Sequence, residues 1–194
     1  MSEVAYVDES IRGDREPTAY VLVASVMQLA VRNEVRESLR PLHRLGAGPA
    51  FHWKDAKPHR YAAVTILAEL DSQVRHIAVV GQPLDEHRLE RGRRHCLRRL
   101  LFELEHVGVE QVWMESRRIR EDQRDNEAVG AFRAQHVITA GLRVDHLPGK
   151  TPDSERLLCI PDVVAGALRA HLAGDPEHLA VVARLIERHD IGLA

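Results

Sequence analysis

Lysine and cysteine are both scarce in this chain, and each shortage excludes something. Three lysines, Lys54, Lys57 and Lys150, stand among 27 cationic residues, so the positive surface is almost wholly arginine. The planar guanidinium fork suits phosphates and carboxylates, but a GC-rich genome produces the same bias and is the explanation given more weight. Two cysteines, Cys96 and Cys159, are too few and too isolated for a thiolate metal site or a disulfide framework, which makes a reducing compartment the default. Met1-Ser2-Glu3 carries no basic region leading into an apolar one, and no apolar run approaches a membrane span. A cytoplasmic protein with no membrane partner is expected. Internal repeats, low-complexity tracts and interdomain linkers are missing too. The histidines show no His-x-x-x-His spacing and read as surface or core residues.

What is present is one core's worth of chain. At 194 residues, with 29 acidic residues against the 27 basic ones and a net charge of -2, a single domain over 1–194 is expected. A first strand, Ala5 to Asp8 at its centre, leads through a charged loop at 11–17 to a β-branched strand over Thr18 to Gln28, antiparallel to the first because the connection is short. Asn33 caps a helix to about Leu45, with Pro41 kinking its last turn and Gly46 and Gly48 ending it. A second helix follows from Pro58, then a strand from Val74 to Gly81 and a long helix from about Leu84 to His106. Val109 to Glu115 makes a fourth strand, Ser116 to Arg124 a polar loop, Asp125 to His136 a helix, and Leu142 to His146 a fifth strand. After a polar loop at 149–155, helices are expected from Pro161 to Leu172 and from Pro176 to His189. Two adjoining strands followed by strands alternating with helices predict an α/β fold, a mixed sheet of about five strands with helices on its faces. Open sheets of this kind gather their ligands at strand ends.

Two strands end in acids. In Tyr6-Val7-Asp8-Glu9-Ser10 the alternation aims Asp8 at one face of the sheet and Glu9 at the other. Two readings of Asp8 stay open, an ordinary strand end or a buried carboxylate that needs a partner. Glu115 closes the fourth strand in the same way. Asp162 follows Pro161, which fits the first helical position, so that free backbone N–H groups and the helix dipole explain the acid by themselves. The small residues Ala165-Gly166-Ala167 behind it let that helix approach the sheet, so that three distant acids converge on one site for a hard cation. Phe51-His52-Trp53-Lys54-Asp55 packs aromatic, imidazole, ammonium and carboxylate groups outside any helical period; His52 and Lys54 are candidates for holding a phosphate, with a solvated loop the equal alternative. Arg91, Arg94 and Arg98 share one side of the long helix and read as its solvated face, whereas Arg117, Arg118 and Arg120, beside Glu115, are better placed to meet a substrate.

The order Tyr6-Val7-Asp8-Glu9-Ser10, Phe51-His52-Trp53-Lys54-Asp55, Glu115-Ser116-Arg117 with Arg124-Asp125 following, and Pro161-Asp162-Val163-Val164-Ala165-Gly166-Ala167 resembles the bacterial family known as domain of unknown function 3800, over about residues 3 to 172. That family looks like a branch of the ribonuclease H-like superfamily. It usually carries Gly directly after Asp-Glu-Ser, where this chain has Ile11-Arg12-Gly13, and Ala before the last Asp, where this chain has Pro161. The resemblance implies a ribonuclease H-like domain and a nuclease-like phosphodiester hydrolase, with Asp8, Glu115 and Asp162 matching the metal-binding acids for Mg²⁺ or Mn²⁺. Asp125 is a fourth catalytic candidate, and Glu9 a secondary metal ligand because a regular strand points it away from Asp8. The partner implied is RNA or DNA, with His52, Lys54 and Arg117 on the substrate side. A non-catalytic module that binds nucleic acid or a protein is the alternative, and metal-dependent hydrolysis of a small nucleotide a third reading. Self-association of the chain is left open.

Overall fold

The fold described is a computed structural model covering residues 2–12, 19–46, 51–83, 86–147 and 152–193. Expectations for residues 13–18, Gly48, Leu84 and the loop residues 149–151 lie outside it. Six strands form one mixed sheet: β1 (Glu3–Arg12), β2 (Ala19–Gln28), β3 (Val74–Gln82), β4 (Val109–Glu115), β5 (Arg143–Leu147) and β6 (Ile186–Gly192), in the order β5-β4-β1-β2-β3-β6. The pairings of β2 with β1 and with β3 are antiparallel; β1 with β4, β4 with β5, and β3 with β6 are parallel. With helices on both faces, this is the α/β, ribonuclease H-like architecture that the sequence predicts, with one strand more.

Strand alternation divides the core into two layers. Val4, Tyr6, Val21 and Val23 point to one face, which is covered by α1 (Arg32–Ser38), α2 (Arg40–Leu45), α3 (Arg60–Ala68), α6 (Pro152–Leu172) and α7 (Glu177–Val182). Ala5, Val7, Tyr20, Leu22 and Ala24 point to the other, against α4 (Leu89–His106) and α5 (Ile119–Ala134). The buried face of α4 is Cys96, Leu97, Leu100, Leu101 and Leu104, at helical spacing, and Gly108, at φ 87°, ends that helix.

Several boundaries differ from the expectation. β1 runs on through Ser10 and Ile11 to Arg12, because each residue from Glu3 onward pairs with β2. The helix expected over 33–45 breaks at Leu39, and Pro41 lies in the first turn of the second piece, where its missing N–H is harmless. α5 begins at Ile119, so Arg120 and Arg124 are helical and not in a loop. Pro161 is inside α6 and not at its start; the helix tolerates it while burying Leu157, Ile160, Val163 and Val164 along one face. The last expected helix stops at Val182, and 186–192 forms the edge strand β6 against β3. Among the described residues, no helix is long and apolar enough to cross a membrane.

Candidate functional site

Asp8 continues the Val4, Tyr6 alternation, so its carboxylate lies on the α6 face. On β4, Val112 and Met114 point to the α4 face while Trp113 packs on the other, which puts Glu115 on the α6 face as well. The register pairs Val7 with Met114, so Asp8 and Glu115 come side by side at the ends of adjacent parallel strands. Asp162 enters from α6 above them. Burial, with Asp162 and Glu115 nearby and a hydrogen bond shared with Glu115, holds the Asp8 carboxyl well above the usual range; Arg93 acts weakly in the opposite sense. Burial likewise pushes the Asp162 carboxyl up to about 6, against the lowering effects of the Trp53 N–H and of His52. Three acids from distant parts of the chain are thus brought together, with no cation paired to any of them on this face among the described residues.

The position of Asp162 has a cause other than the helix dipole, since it lies well inside α6. The backbone N–H of Trp53 donates to its Oδ2 at 2.8 Å. Trp53 itself is 2% exposed, and its indole packs where a side chain on Gly166 would sit. Arg60 stacks over the ring at 4.7 Å and donates from Nε to the Trp53 carbonyl at 3.1 Å. The glycine in Ala165-Gly166-Ala167 therefore admits an indole and not the sheet. Phe51, fully buried, anchors the start of the same turn, and His52, Lys54 and Asp55 are left exposed. Of these, His52 and Asp55 lie close enough to act on the charge of Asp162.

Glu9 and Asp125 are elsewhere. Glu9 follows Ala5 and Val7 to the α4 face, where Tyr20 donates its hydroxyl to it at 2.6 Å and Arg93 forms an ion pair with it. Arg93 also grips Asp125 through Nε at 2.9 Å and Nη2 at 2.7 Å. Arg117 adds a contact to Asp125 at 3.2 Å and another to Glu90 at 3.1 Å. Burial raises the Asp125 carboxyl, but hydrogen bonds with Arg93 and His146 and the charges of Arg93 and Arg117 hold it well below the carboxylate range. Glu9 and Asp125 are thus neutralised behind the sheet and do not share a point with Asp8. Arg117 is committed to the same network and is not free for a substrate; Arg118 and Arg120 are exposed. Sequence reasoning missed Arg93, although the signal was there: it falls four residues after Leu89 and four before Leu97, on the buried stripe of α4, where an arginine requires acidic partners.

Two groups of acidic and histidine side chains have potential ligand atoms all within 4.8 Å of one another and could hold a metal ion: Asp122, Asp125 and His146, and Glu103, Glu187 and His189. The first contains the Asp125 already bound by two guanidiniums. In the second, Arg99 donates to His189 Nδ1 at 3.0 Å, leaving the ring proton on Nε2, the nitrogen that faces Glu187 at 3.1 Å. Metal-ligating imidazoles have the reverse arrangement, donating the second N–H outward. The trio of Asp8, Glu115 and Asp162 is more widely spaced than either group, but it alone consists of carboxylates without cationic partners. No protein-family model matches the chain, and no curated protein matches it.

Proposed function

We propose that this protein is a ribonuclease H-like, metal-dependent phosphodiester hydrolase acting on nucleic acid, with Mg²⁺ or Mn²⁺ held by Asp8, Glu115 and Asp162. The observation that carries the reading is the convergence of these acids, two from adjacent strand ends and one from α6, none of them in an ion pair with a cation of the described residues. Like charges at close quarters need a proton or a cation, and an all-oxygen donor set suits a hard divalent ion. Bound there, such an ion would supply water activation and stabilisation of the leaving oxygen. The chain's own part is to fix the ligands: Trp53 orients Asp162 through its backbone N–H, and the β1–β4 register sets Asp8 beside Glu115. His52 and Lys54, exposed on the turn next to Asp162, are the groups we assign to the phosphate.

The test is cleavage of single-stranded and structured RNA and DNA by the purified protein with Mn²⁺ or with EDTA, beside Asp8→Asn. The reading expects cleavage with Mn²⁺, none with EDTA, and a loss of at least a hundredfold in Asp8→Asn. Cleavage that survives both EDTA and the substitution would sink it. One observation favours the non-catalytic alternative, namely the wider spacing of the three acids. That alternative expects nucleic-acid binding that Mn²⁺ leaves unchanged and no calorimetric heat on titration of Mn²⁺ into the protein.

A further inference from the structure

On the opposite face of the sheet, α4, the connection after α5 and the end of β6 border an open cavity of about 370 Å³ lined by His95, Arg98, Arg99, Phe102, Val137, Ile191 and Gly192. Its volume falls within the range of small-ligand sites. Its composition is unusual for this chain. Acidic residues outnumber basic ones in the sequence, yet among the described residues no carboxylate lines the cavity. Arg99 is engaged with Glu103 at 2.6 Å and with His189 at 3.0 Å. Arg98 is exposed and has no acidic partner among the described residues. Phe102 is 48% exposed, one of the few large apolar side chains left outside the core, and its ring stacks on His106 with centroids 6.3 Å apart. Val137 and Ile191 pack on the α4-side core and give the cavity an apolar floor.

A guanidinium without an acidic partner among the described residues, a histidine, an exposed aromatic ring and an apolar floor are the complement of a ligand that joins an anion to a flat ring. We propose that this cavity binds one nucleotide unit, its base against Phe102 and its phosphate on Arg98. The site is separate from the acids: β2 and β3 lie between β1 and β6, which sets the two about 14 Å apart across the sheet at the usual strand spacing. The inference shares its ligand class with the proposed function, but it needs neither metal nor hydrolysis.

The probe is adenosine monophosphate, titrated calorimetrically into the full chain in EDTA, so that no metal at the acids contributes. One-to-one saturable binding is expected, about tenfold weaker or worse in Phe102→Ala and in Arg98→Glu, and unchanged in Asp8→Asn. Adenosine and inorganic phosphate should each bind at least tenfold more weakly than the whole nucleotide. Both varied side chains are exposed, and thermal melts of the two variants superimposing on wild type would confirm that the fold is intact. A short oligothymidylate that competes with the nucleotide, and loses affinity in the same two variants, marks the occupant as a unit within a strand; binding of the mononucleotide alone marks it as free. Absence of saturable binding at millimolar nucleotide, or equal affinity in wild type and both variants, overturns the proposal. Neither result bears on the acid site, which is read by Mn²⁺ dependence.

Discussion

Gly166→Ala probes how Asp162 is placed. In an ordinary helix interior the change would stabilise by about 1 kcal/mol, since alanine is the better helix former. Here the added methyl collides with Cγ, Cδ1 and Cδ2 of the Trp53 indole. The ring has little room to retreat, because it is 2% exposed, with Arg60 stacked on it and His178 edge-on at 5.2 Å. Overpacking of this kind costs about 1–3 kcal/mol. If the turn shifts to relieve it, the 2.8 Å hydrogen bond from the Trp53 N–H to Asp162 is lost, a further cost of about 1–3 kcal/mol for a charged acceptor. Set against the helix gain, the net destabilisation centres on about 3 kcal/mol, or about 6–12 °C in Tm for a domain of this size. Urea or thermal unfolding in EDTA measures it, and a double-mutant cycle with Trp53→Ala isolates the cause. With the indole gone, Gly166→Ala should be neutral or stabilising. Equal destabilisation in both backgrounds, or a stabilised single variant, would refute the clamp.

Three further outcomes follow from buried charge. Asp125→Asn should cost about 3–5 kcal/mol at pH 7, since it leaves the buried Arg93 with half its acidic partners; because the Asp125 carboxyl is depressed in the folded state, that contribution is present above the unfolded pKa near 4 and fades as pH falls through the folded value. His76, buried beside Ser25 at 3.0 Å, has its pKa lowered by burial to about 4, so the folded state holds it neutral. Its contribution is complete above about pH 6.5 and is lost on acidification towards 4; between pH 7.5 and 4.5 wild type should therefore lose about 2–3 kcal/mol of unfolding free energy relative to His76→Gln, measured by denaturant titration. In EDTA, Asp8→Asn should raise Tm while Glu9→Gln lowers it, and the same sign for both would show that the two carboxylates are not in different electrostatic settings.

The parts of the fold that could be read from the residues are those where periodicity is strong. The apolar run of β2 and the Leu stripe of α4 carry unambiguous patterns. α5 does not: its first two turns, Ile119 to Asn126, hold one large apolar residue, Ile119, which is 88% exposed, so the segment reads as a polar loop. β6 failed for the opposite reason, since Leu179, Val182 and Ile186 recur at helical spacing, and only pairing with β3 makes an edge strand of 186–192. Pro161 misled because proline costs about 3 kcal/mol inside a helix, a penalty outweighed here by the burial of Leu157, Ile160, Val163 and Val164. Strand parity alone separates Asp8 from Glu9, and it needs no knowledge of what covers either face. What parity cannot supply is the identity of the partners, because Arg93 is 84 residues from Glu9 and Trp53 is 109 from Asp162.

That separation is the strongest argument for a cation at Asp8. Asp8 and Glu9 are neighbours on one strand, and both are half-buried when the domain folds. Desolvating a carboxylate costs several kcal/mol unless a partner offsets it. On the α4 face the partner is supplied twice over, by the Arg93 guanidinium and the Tyr20 hydroxyl. On the α6 face the neighbours of Asp8 are two more acids, which make the desolvation worse. Arginine is plentiful in this chain, so that no arginine of the described residues pairs with Asp8 does not follow from composition. A fold that neutralises one acid and crowds its neighbour with like charge leaves an electrostatic deficit that a proton can meet only in part, and that a divalent ion held by three oxygens would meet in full.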